Sequence, residues 1–144
     1  MINIVLIGTS IFILFYIVFW KQEYISQITK SSKESLVVLN NLKKKLRRIV
    51  YNTSYYNFFN KIYLNESNYS FTLDKKYIFL KLKDENDIYY DYNTLIYVLL
   101  HEFTHVVCPQ TGHTKLFNTI LNNLLKRAEN IGEYDNVLPL VYKE

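Results

Sequence analysis

The sequence predicts an α+β domain preceded by an N-terminal transmembrane helix, and three observations carry that expectation. The first twenty of the 144 residues contain no charged side chain. Beyond them, three stretches with apolar residues at helical spacing surround a shorter stretch in which apolar and polar residues alternate. No Pro/Gly/Ser-rich linker and no internal repeat divides this part, so residues 31–144 read as one compact unit. With 49% hydrophobic and 21% charged residues the composition is that of a globular chain, and three glycines and two prolines exclude a collagen-like or linker-rich one. The organisation expected is a transmembrane anchor over residues 1–20, a polar stalk over 21–30 and a folded domain over 31–144.

From Ile4 to Trp20 the chain reads IVLIGTSIFILFYIVFW, which at about 1.5 Å per residue covers most of a roughly 30 Å hydrocarbon core. Tyr16, Phe19 and Trp20 sit near its end, where amphipathic rings favour the membrane interface. A cleaved signal peptide fits less well. No Lys or Arg precedes the run, and Phe19-Trp20-Lys21-Gln22 is not a small-residue cleavage site. Lys21, Lys30 and Lys33 all follow the segment, so the positive-inside rule places the remaining residues on the cytoplasmic side. The expectation is a single-pass membrane protein touching the lipid bilayer through residues 4–20. The single cysteine, Cys108, allows no intramolecular disulfide, which agrees with a reducing compartment.

Leu36, Leu39, Leu42, Leu46, Ile49 and Val50 recur at helical spacing, with Ser31, Ser32 or Ser35 available as N-cap. The opposite face of this helix holds Lys43, Lys44, Lys45, Arg47 and Arg48. It reads first as a solvated face, then as a contact for anionic lipid, and last for nucleic-acid phosphates. Residues 58–64 read as a short helix. Residues 69–73 alternate, Asp74-Lys75-Lys76 is a polar turn, and residues 77–83 put Ile78, Leu80 and Leu82 on one face, which together predict a hairpin. Residues 84–91 form an acidic turn that leaves Asp91 or Asn93 to cap the next helix.

That next helix carries the chemistry. Residues 101–105 read His-Glu-Phe-Thr-His, and Ile96, Leu100, Phe103 and Val107 around them form one apolar ridge. On a helix, His101 and His105 project from the same face one turn apart, so both imidazoles reach a single tetrahedral metal. Glu102 lies beside that face and is placed to handle water at the metal rather than the metal itself. A catalytic zinc needs a third protein ligand and an open fourth position. The remaining histidine, His113, stands eight residues after His105, beyond a turn containing Pro109 and Gly112, where glycine permits a sharp bend and close approach. Thr114 then caps a helix bearing Leu116, Phe117, Ile120, Leu121, Leu124, Leu125 and Ala128 that ends near Gly132.

A His-Glu-x-x-His motif, a short loop and then Gly-His-x-x-x-Phe, here residues 101–105 and 112–117, resembles the WLM and SprT-like zinc metallopeptidases. Residues 93–100 and the upstream basic helix and hairpin are similar to the WLM arrangement. The resemblance covers about residues 31–130, with its specific part at 93–117. It implies a zincin-like small metallopeptidase domain, with His101, His105 and His113 as zinc ligands and Glu102 as general base. Members of this family are associated with cleaving proteins crosslinked to DNA. The predicted anchor, and the lack of a recognisable DNA-binding tail, depart from that pattern while leaving the peptidase chemistry standing.

The function expected is therefore a membrane-anchored, Zn2+-dependent endopeptidase acting on a protein or peptide substrate, with residues 77–83 offered as a strand for an extended substrate to pair with. Two alternatives stay open. One is a catalytically inactive, zinc-stabilised membrane protein that scaffolds a partner, with Cys108 closing the fourth coordination position. The other is a basic membrane-surface or nucleic-acid-binding module led by Lys43 to Arg48. An oxyanion-stabilising side chain is also expected, and fourteen tyrosines, Tyr134 and Tyr142 among them, offer no choice of one.

Overall fold

The structure, a computed structural model, describes residues 11–22 and 32–141. Helix α1 (Lys33–Val50) begins at Ser32, whose hydroxyl accepts from the Ser35 amide at 3.2 Å and so satisfies one of the orphan donors of the first turn. Leu39, Leu42, Leu46, Ile49 and Val50 form its buried face as the spacing predicts. Leu36 is half exposed, and Ser35 is buried in the first turn instead, with its Oγ 3.0 Å from the Tyr89 hydroxyl.

A single turn of helix, α2 (Tyr56–Phe59), leads into β1 (Tyr63–Glu66), β2 (Phe71–Leu73) and β3 (Tyr77–Leu80). The sheet has the order β1-β3-β2. Here β1 runs parallel to β3 with Leu64 opposite Ile78, and β2 runs antiparallel to β3 with Thr72 opposite Ile78. The predicted hairpin is therefore present, with β3 ending at Leu80 rather than 83. Asp74 (φ 52°) and Lys75 (φ 50°) turn the chain in left-handed conformation, and the Lys76 amide donates to the Leu73 carbonyl. The short helix predicted over 58–64 is displaced: the helical turn stops at Phe59 and Tyr63–Glu66 is a strand, because pairing with β3, far along the chain, outweighs local preference.

Helix α3 (Tyr92–Val107) packs against α1, β2, β3 and the last helix, α4 (Lys115–Asn130). Of its two candidate caps, Asp91 is the one used, its carboxylate accepting from the Thr94 amide at 2.9 Å. Thr114 caps α4 through the Phe117 amide, and Gly132 (φ 76°) follows its end. The core lies between α1, α3, α4 and the sheet. The basic face of α1 is partly committed to this packing. Lys45 and Arg48 pair with Glu133, whose side chain is almost fully buried, and the Lys43 ammonium donates to the Ile62 carbonyl.

The α+β class holds, while the structure corrects the transmembrane helix. Residues 11–22 are helical. Among the described residues no helix is long and apolar enough to cross a membrane. The single-pass anchor and the cytoplasmic placement drawn from its positive flank go with it. Residues 1–10, and residues 23–31 of the expected stalk and Ser31 cap, lie outside the described residues.

Candidate metal centre

The amphipathic pattern of α3 turns its apolar ridges into the core and leaves His101 and His105 on one half-buried face, one turn apart. After α3 ends at Val107, the chain reverses through 108–113, and Gly112 (φ 82°) makes the bend. A Cβ built at Gly112 would meet nothing within 4 Å, so backbone conformation rather than close approach is what requires glycine there. The reversal places His113 Nε2 3.0 Å from His101 Nε2 and 3.2 Å from His105 Nε2.

These distances test whether the residues fit a metal. Three nitrogens each about 2.0–2.1 Å from a tetrahedral zinc lie about 3.3–3.4 Å apart, close to the spacings seen. Ligand atoms of the three histidines all fall within 4.8 Å of one another, and among the described residues no Cys, Asp or Glu joins the cluster. Cys108 is buried at the C-cap of α3, outside the group. Burial, then the neighbouring His105 and His113, lowers the His101 pKa to about 4, and burial, His113 and the Lys75 cation lower that of His105. Both rings are thus neutral at pH 7, as metal ligands must be.

Phe117 explains why the cluster holds its shape. Its buried ring, in the first turn of α4, lies under all three imidazoles with centroids 5.1, 4.5 and 4.8 Å from those of His101, His105 and His113. The Thr114 cap fixes that turn, so one short segment sets both His113 and the ring it rests on.

Glu102 is 7% exposed and shares an open cleft of about 480 Å3 with the three histidines. Opposite it in the cleft wall stands Thr72 of β2, whose hydroxyl lies 2.7 Å from Glu102 Oε2 and 2.9 Å from the Glu102 carbonyl oxygen. Lys75, in the β2–β3 turn, donates to the carbonyls of His105 and Cys108 at the C-terminal end of α3, where a cation is favoured. Sequence reading missed Thr72 and Lys75. Both come from about 30 residues upstream, and only the alternation of the hairpin hints at which face of β2 Thr72 occupies.

Three other expectations move. Strand β3 is central in the sheet and already paired on both sides, so it has no edge to offer a substrate; β2 is the edge strand that borders the cleft. The basic residues Lys43, Lys45 and Arg48 lie outside the residues lining the cleft and hold structural partners. Tyr134 stacks toward Tyr97 and lines no part of the cleft, and Tyr142 lies outside the described residues.

No protein-family model matches the chain, and no solved structure matches it. Its curated relatives are viral. The chain is 45% identical to uncharacterized protein 042R of Invertebrate iridescent virus 3 over 59% of its own length and 54% of the relative. It is 41% identical to uncharacterized protein R325 of Acanthamoeba polyphaga mimivirus over 47% of its length, spanning 36% of that protein. With uncharacterized protein 136R of Invertebrate iridescent virus 6 it shares 36% identity over 83% of this chain and 77% of the relative, and it therefore belongs to the same protein family as 136R.

Proposed function

We propose that the domain is a zinc-dependent endopeptidase, and the observation that carries this reading is the convergence of three imidazole nitrogens beside a buried carboxylate in one open cleft. His101, His105 and His113 would hold the zinc, and the resemblance of residues 101–117 to WLM and SprT-like metallopeptidases supports the assignment. When bound, the metal supplies a Lewis acid that brings the pKa of water to about 7 and polarises a carbonyl. Glu102 acts as general base, taking the proton from the attacking water and delivering it to the leaving amine. The edge of β2 lets an extended peptide lie along the cleft, its backbone pairing with the strand and its scissile bond carried past Glu102.

The test combines metal analysis with hydrolysis of a peptide library by the full chain. Wild type is expected to hold one zinc and cleave, His113→Ala to lose stoichiometric zinc, and Glu102→Gln to keep zinc while losing cleavage. A wild type without zinc, or a Glu102→Gln protein cleaving at the wild-type rate, would refute the reading.

A further inference from the structure

We infer that Thr72 is a positioning residue that fixes the direction of the Glu102 carboxylate before substrate arrives; the inference rests on the peptidase reading above and adds to it a residue outside the histidine-rich motif. A glutamate side chain turns about three bonds, and a general base that wanders loses the geometry proton transfer requires. Here the Thr72 hydroxyl reaches two acceptors of the same residue, Oε2 at 2.7 Å and the backbone carbonyl at 2.9 Å. Its single proton goes to one of them at a time. A carboxylate oxygen is the stronger acceptor of the two, and its contact is the shorter, 2.7 Å against 2.9 Å.

The donor is itself held. Threonine is β-branched and stiff about its first side-chain torsion, and Thr72 is fixed in register opposite Ile78 within the sheet. On the other side, Glu102 lies inside α3, so the bond spans two regular elements rather than two loops. The hydroxyl thereby transmits the position of the edge strand to the proton acceptor. The strand against which a substrate would lie and the base that would serve it are tied at one atom pair.

The experiment uses the full chain with Thr72→Val, which removes the hydroxyl and keeps the shape, and Thr72→Ser, which keeps the hydroxyl. In the zinc-loaded protein, Thr72→Val is expected to lower kcat about 10- to 100-fold with KM within about twofold, and Thr72→Ser to restore most of it. In the metal-free protein, Thr72→Val is expected to lower the urea midpoint, and to lower it distinctly less in a Glu102→Ala background, which reads the contact independently of turnover. Equal midpoint shifts in both backgrounds overturn the contact. An unchanged kcat, or failure of serine to rescue, overturns the positioning role. Glu102→Gln in the same assay separates the two levels: an inactive Glu102→Gln beside a fully active Thr72→Val sinks this inference alone, whereas an active Glu102→Gln sinks the peptidase reading with it.

Discussion

Lowering the pH of the metal-free protein from 7 to 5 should destabilise it through His101. The folded pKa of His101 is about 4, set first by burial and then by His105 and His113, against 6.5 for a free imidazole. A pKa depressed by folding means that the unfolded chain takes up the proton first as pH falls. The stability held by the neutral ring is therefore complete above about pH 6.5 and drains away between about 6.5 and 4. For a fully buried ring the difference would correspond to about 3.4 kcal/mol at 1.36 kcal/mol per pKa unit. His101 is only half-buried, and solvent screening reduces this to roughly half. Between pH 7 and 5 the expected loss is then about 1 kcal/mol. Urea titrations in the presence of a chelator measure it, with His101→Gln as the control that lacks the group. Carboxylates and His105 contribute to both proteins, so the quantity of interest is the difference between them. If wild type and His101→Gln lose the same stability from pH 7 to 5, the neutral, desolvated state of the ring is wrong.

Two further outcomes follow from the supports of the site. Phe117→Ala removes a buried ring and should cost about 3–5 kcal/mol in denaturant unfolding, so the milder Phe117→Leu is the variant in which to measure zinc affinity, which should fall because three imidazoles lose their common floor. Lys75→Met removes the donor to the His105 and Cys108 carbonyls and should cost about 1 kcal/mol of stability. The same substitution should raise the His105 pKa in an NMR titration of the metal-free protein, since the Lys75 cation is one cause of its depression.

What was legible in the sequence is what is local along the chain. The amphipathic patterns of α1, α3 and α4 and the caps at Ser32, Asp91 and Thr114 depend on neighbours within a turn, and they are found where the spacing puts them apart from Leu36 and Leu116, which are exposed in the first turns of α1 and α4. The histidines are legible for the same reason, because one helical turn and one short reversal bring them together. Strand β1 was not legible: its parallel partner β3 begins more than ten residues later, and nothing within residues 58–66 announces the pairing. Nor was the role of Glu133, which sits beyond α4 and folds back to receive Lys45 and Arg48 from α1, turning a face that reads as freely solvated into part of a clasp. The transmembrane reading is overturned because, among the described residues, no helix is long and apolar enough to cross a membrane.

The same distinction divides the site into two tiers with different dependence on the fold. The three imidazoles are gathered by α3, one reversal and the start of α4, so closing the cluster involves loops of few residues and a small entropic cost. The surroundings of Glu102 depend on β2, thirty residues away, whose position in turn depends on the β3 pairing and on Lys75 holding the hairpin turn against the end of α3. Gathering of the three imidazoles therefore rests on local structure, whereas the contact that orients the Glu102 carboxylate requires the sheet to be docked. A disturbance of the hairpin that leaves α3 and α4 intact separates the two, keeping the three histidines together while releasing the carboxylate. On the proposed reading, the motif would specify the place for a metal, and the tertiary contact at Thr72 would give that place its chemical direction.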